Sequence, residues 1–97
     1  MRRRSWKRCE QRVAQALGGE RIPVTGRRGP DVAHPWLAVE VKARADLPRY
    51  LWDWLAQARA GAPADKLPIL VLHPAGWTHG KDLVVLKLAD FKVWFGG

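Results

Sequence analysis

Cysteine is almost missing from this chain: Cys9 stands alone among 97 residues. A lone cysteine excludes an internal disulfide and any cysteine-rich zinc site. The chain is therefore expected to be intracellular and cytoplasmic. No long apolar run occurs, which argues against a membrane partner. Arg2-Arg3-Arg4 is not followed by the apolar stretch that a signal peptide needs. There is no Gly-Lys-Ser/Thr phosphate loop, no Gly-x-Ser-x-Gly elbow and no internal repeat. His34, His73 and His79 lack the close spacing of zinc ligands; His34 and His79 read as surface residues, and none of the three is given a chemical role. Acids are scarce: nine Asp and Glu stand against 17 Lys and Arg, a net charge of +8.

The positive charge is unevenly placed. Residues 1–28 carry nine Lys and Arg against Glu10 and Glu20, which is +7 of the total. A basic N-terminal block on a nearly neutral body suits a polyanion docking on one side. Six tryptophans supply apolar area to a short chain, and they can also stack on bases. The length fits one domain, residues 1–97, with a modest core.

The spacing predicts a helix over residues 5–17, capped by Ser5 and stopped by Gly18-Gly19 in left-handed conformations. Trp6, Cys9, Val13, Ala16 and Leu17 form its apolar stripe. Glu10 lies at the edge of that stripe. It is either a boundary residue paired with Arg8 or Arg12, or an acid reaching towards a site. Residues 20–25 read as a short strand interrupted by Pro23. Thr25-Gly26-Arg27-Arg28-Gly29-Pro30 is a basic loop whose amides, hydroxyl and guanidinium groups could cradle phosphate.

The stretch Asp31 to Lys42 organises the chain. It reads as two short strands joined at His34-Pro35. Along the second, Trp36, Ala38, Glu40 and Lys42 share one face, and Leu37, Val39 and Val41 share an apolar core face. A buried carboxylate must be paired or bind a metal. Asp31, Glu40, Lys42 and the Val41 carbonyl together offer two acids, a cation and a neutral oxygen, the kind of set a hydrated Mg²⁺ uses beside phosphate. An ordinary surface ladder of Glu40 and Lys42 would show the same tripeptide.

A second helix is expected from an Asp46 cap, with Pro48 in its first turn, to Gly61. Leu51, Trp54, Leu55 and Ala58 form its buried stripe, and Trp52 falls off it. Residues 68–73 form a continuous apolar run, expected as a central strand buried on both faces and parallel to the Glu40 strand. Residues 83–88 are the last strand, and 89–95 a terminal helix or turn closing the core with Phe91, Trp94 and Phe95.

Pro30-Asp31 followed by Glu40-Val41-Lys42 resembles the Pro-Asp…(Asp/Glu)-x-Lys motif of the restriction-endonuclease-like nucleases. With Glu10 on the first helix, the order of elements resembles the Holliday junction resolvase-like branch over nearly the whole chain. The resemblance implies an α/β fold with a mixed central β-sheet flanked by helices, in the order α-β-β-β-α-β-β plus a short C-terminal helix. It also implies a homodimer that cuts four-way DNA junctions symmetrically with Mg²⁺, for which Mn²⁺ can substitute. Glu10, Asp31, Glu40 and Lys42 become the catalytic set. Asp31, Glu40 and the Val41 carbonyl hold the metal, with Glu10 fixing a bound water or a second ion. Gln57 is carried over as a supporting residue. Arg2, Arg3, Arg4, Lys7, Arg8, Arg12, Thr25, Arg27, Arg28 and Arg44 are the expected phosphate contacts. Archaeal members bear a serine in a small-residue loop where this chain has Thr25-Gly26-Arg27-Arg28. Two alternatives stand beside this: a nuclease acting on flaps, forks or duplex, and a non-catalytic basic DNA-binding domain.

Overall fold

The structure, a computed structural model, describes residues 3–23 and 29–96, with side chains from Trp6 onward. The described residues form three α-helices and two two-stranded antiparallel sheets. The order is α1 (Arg3–Ala16), β1 (Glu20–Arg21), β2 (Val32–Ala33), α2 (Arg49–Ala60), β3 (Leu70–Leu72), β4 (Leu83–Val85) and α3 (Leu88–Phe95). The chain packs as two compact units, the first running to Asp46 and the second spanning Leu47–Phe95.

In the first unit, α1 lies against β1 and β2. Its buried line is Glu10, Ala14 and Leu17, flanked by half-buried Cys9, Val13 and Ala16. These positions recur every three or four residues, as one helical face requires. Trp6, expected in the stripe, is exposed, and Ala14 takes the most buried place. Ser5 falls inside the helix rather than capping it, because the helix already includes the arginines before it, which are good helix formers. The core is Ala14, Val32 and Val41, with Cys9, Val13 and Val39 packed around it. Val32, with no exposed surface, is its centre.

The two glycines after α1 do different jobs. Gly18 has φ 73°, the left-handed conformation that ends a helix. The Gly19 amide then donates to the Ala14 carbonyl at 2.8 Å. Gly19 is not left-handed, as the sequence suggested. It is glycine for space, since a Cβ there would lie 2.3 Å from the Ala33 carbonyl oxygen and 2.7 Å from Val32 Cγ1. This close approach lets β1 pair with β2 in the register Glu20–Ala33 and Arg21–Val32.

Residues 36–42 keep the alternation read from the sequence but not the strand. Leu37 and Val39 are half-buried and Val41 is buried, while Trp36, Ala38, Glu40 and Lys42 are exposed. Only Val39 makes a bridge, antiparallel to Val32. The partner strand is two residues long, so no ladder can extend. The turn at His34-Pro35 is tied by the His34 ring, whose Nδ1 accepts from the amides of Trp36 at 3.3 Å and Leu37 at 3.2 Å.

In the second unit, Pro48 rather than Asp46 caps α2, with no side-chain bond to the helix. The expected stripe holds at Leu51, Leu55 and Ala58, whereas Trp54 is exposed and its ring packs against Tyr50, with centroids 4.8 Å apart and planes tilted by 45°. Arg59 on α2 pairs with Asp90 on α3. The apolar run forms a three-residue strand whose partner is β4, antiparallel, in the register Leu70–Val85, Val71–Val84 and Leu72–Leu83. The expected parallel pairing gives way to a hairpin. Pro68 has no amide to donate, which delays the strand, and the chain then folds straight back through residues 73–82. Val71 and Val84 are exposed while Leu70, Leu72 and Val85 are half-buried, so the strand is covered on one face and not both. Among the described residues no helix is long and apolar enough to cross a membrane.

Gly19→Ala is expected to lower stability by about 1–3 kcal/mol, the range for forcing an extra methyl into a packed site. A urea denaturation curve beside wild type measures it.

Candidate active site

Asp31 is fixed by three hydrogen bonds that join three segments. Its carbonyl accepts from the Ile22 amide at 2.8 Å, and its own amide donates to the Val39 carbonyl at 2.6 Å. Its carboxylate Oδ2 accepts from the Val41 amide at 2.5 Å. Asp31 thus grips the chain immediately before and immediately after Glu40. Asp31 and Val41, ten residues apart, are brought into contact through the backbone amide between Glu40 and Lys42.

Glu40 and Lys42 face solvent. Lys42 Nζ lies 3.0 Å from Glu40 Oε1, and the two side chains are 65% and 58% exposed. No burial penalty acts on Glu40, in contrast to the expectation from its apolar neighbours. An ion pair this exposed contributes little to stability, so both groups can exchange each other for a ligand. Among the described residues Glu10, Asp31 and Glu40 do not converge as a group of three ligand atoms, so the expected third acid does not join the other two.

Glu10 behaves differently. It is buried on α1, and Arg21 Nε donates to its Oε2 at 2.7 Å. The side chains are 11% and 16% exposed. Arg21 comes from β1, so this ion pair ties the helix to the sheet. The partner is neither Arg8 nor Arg12, because those residues lie on the solvent side of α1. Burial of the acid was legible from its place beside the stripe, but the partner was not, since it comes from another element.

Lys7, Arg8, Arg12 and Arg44 are exposed. Arg8 and Arg12, one turn apart, border a surface depression with Cys9 and Val13. Arg2, Thr25, Arg27 and Arg28, and the side chains of Arg3 and Arg4, lie outside the described residues. Gln57 is exposed on α2 in the second unit.

Sequence reasoning set the histidines aside. Among the described residues, however, one group of three potential metal ligands comes within 4.8 Å, and it is His73, His79 and Asp82. Two signals in the sequence point to it: hairpin pairing sets His73 opposite Asp82, and His79 lies three residues before Asp82. No family model, curated protein or solved structure matches this chain.

Arg21→Ala is expected to cost about 3 kcal/mol by leaving the Glu10 carboxylate buried without its cation. Lys42→Ala is expected to stay within about 0.5 kcal/mol, as for an exposed pair. Thermal or denaturant melts of the two variants check both values.

Proposed function

We propose that this chain is a Mg²⁺-dependent, structure-specific DNA endonuclease with a restriction-endonuclease-like core, cutting four-way junctions as a homodimer. One contact supports it above the others: the Val41 amide on Asp31 Oδ2, which holds the motif's first acid against the segment that carries Glu40 and Lys42. Asp31, Glu40 and the Val41 carbonyl would hold the Mg²⁺, with Mn²⁺ as a substitute. Bound there, the ion supplies polarisation of the phosphoryl oxygen and acidification of the attacking water.

The chain's own residues do the rest. Lys42 leaves Glu40 and sets its ammonium against the charge that builds on the phosphate. Glu10, held by Arg21, keeps α1 against the strand that leads to Asp31, and so supports the site from behind. Lys7, Arg8, Arg12 and Arg44 grip backbone phosphates, giving affinity that falls steeply with salt. A two-fold dimer would present two sites to a two-fold junction. Exposed Trp52, Trp94 and Phe95 are the apolar residues proposed for that interface.

Two contacts favour a second reading. The buried Glu10–Arg21 pair and the Asp31–Val41 bond each hold the fold together. Acids that serve only this purpose would belong to a non-catalytic, basic DNA-binding domain.

Glu40→Gln and Lys42→Ala separate the two, because both positions are exposed and neither change should disturb folding. The wild-type chain is incubated with an immobile junction, a flap and a matched duplex, in Mg²⁺ and in EDTA. Paired nicks on the junction, absent in EDTA and in Glu40→Gln, are the expected outcome, with Lys42→Ala slowed at least about a hundredfold. Comparable cutting of flap or duplex moves the substrate to those forms. Binding without cleavage by any of the proteins, with Mn²⁺ also tried, establishes the binding domain instead.

A further inference from the structure

We infer that His73, His79 and Asp82 form a binding site for a borderline divalent cation of the Zn²⁺, Co²⁺ and Ni²⁺ class. The site lies in the second unit and does not depend on the proposed nuclease site.

The hairpin builds it. Leu72 pairs with Leu83, so the next positions outward, His73 and Asp82, face one another across the two chains. The loop between them ends in a single 3₁₀ turn, His79–Lys81. Such a turn has three residues per rotation, which brings residues three apart onto one side. His79 is therefore returned over Asp82, and the Asp82 amide closes the turn on the His79 carbonyl at 3.0 Å. Three side chains from two chain directions converge without a long loop having to be ordered.

Their contacts have the form of a ligand set. Asp82 Oδ1 lies 2.5 Å from His73 Nδ1, and Oδ2 lies 3.0 Å from His79 Nδ1. The two imidazoles stack with centroids 4.3 Å apart and planes inclined by 28°. The Asp82 side chain is only 14% exposed, so the shared carboxylate is the fixed point of the cluster. Ligand atoms about 2.0–2.1 Å from a tetrahedral ion stand roughly 3.3 Å apart. Atoms gathered within 4.8 Å reach that spacing through small side-chain rotations.

Two imidazoles and one carboxylate select the class of ion. Imidazole favours Zn²⁺, Co²⁺ and Ni²⁺, whereas Mg²⁺ takes oxygen ligands. Three protein ligands leave a coordination position for water. His79 is 84% exposed, so the ion enters from solvent. Once held, it joins the end of β3 to the start of β4 and stabilises the folded chain.

The test uses the tag-free, full-length chain stripped with EDTA and then freed of it. Co²⁺ is titrated and read by its visible absorption, and Zn²⁺ is titrated by calorimetry and by its effect on Tm. The expected result is about one ion per chain, a tetrahedral Co²⁺ spectrum and a raised Tm. His79→Ala and Asp82→Asn should each weaken binding by more than about tenfold, the least that even a supporting residue costs. His34→Ala and Cys9→Ser should bind as wild type does. Because His79 is so exposed, its replacement leaves the fold intact, and circular dichroism of the variant verifies this. No Co²⁺ spectrum and no change in Tm would overturn the site. So would unchanged binding in His79→Ala, equal loss in Cys9→Ser or His34→Ala, or ready displacement of Zn²⁺ by Mg²⁺. None of these readouts involves DNA cleavage, so they stand or fall apart from the proposed nuclease activity.

Discussion

The first unit depends on how Asp31 and Val32 are held. Val32 is enclosed on every side, by Ala14 from the helix and by Val39 and Val41 from the segment beyond the turn. That enclosure is possible only because Gly19 lets the chain after α1 come within contact distance of β2. Asp31, one residue earlier, then has its amide, carbonyl and carboxylate all in hydrogen bonds, to three different residues. Strands of two residues hold together poorly by ladder bonds alone. Here the side chain of one acid replaces part of a missing ladder, so the residue proposed as a metal ligand has a structural use as well.

That double use explains the contrast among the three acids. Glu10 and Asp31 are engaged inside or at the edge of the core, by a guanidinium and by a backbone amide. Glu40 is held only by a solvent-exposed lysine. A group with weak, replaceable contacts is suited to change partners during a reaction. Groups with short, buried contacts are suited to stay where they are. The rigid and the exchangeable parts of the candidate site thus follow the burial gradient from α1 outward.

Local patterns were legible in the sequence, and contacts between distant residues were not. The face of α1, the alternation along residues 36–42 and the stripe at Leu51, Leu55 and Ala58 follow from periods of 3.6 and 2. The meeting of Asp31 with the Glu40 segment was readable because a turn at His34-Pro35 separates them by a few residues. The Arg21 partner of Glu10 was not readable, since any of several nearby cations satisfies the same charge rule. The apolar run before His73 misled for a physical reason. Hydrophobicity on both faces is compatible with a doubly buried parallel strand and with a hairpin that leaves one apolar face outside, and periodicity cannot distinguish them. Once the hairpin is known, the pairing of His73 with Asp82 follows by counting outward from Leu72 and Leu83.

The brevity of that hairpin has a further consequence. Among the described residues β3 and β4 pair only with each other, so each has an outer edge of unmatched amides and carbonyls. An exposed apolar edge is a template for intermolecular strand addition when it is long and flat. Here each strand is three residues long, well short of the six or seven that stack into cross-β zippers. Pro68 interrupts donors just before one edge, and Lys87 places a charge just beyond the other. The exposed valines of the outer face thus lie on strands too short to present a long, flat edge.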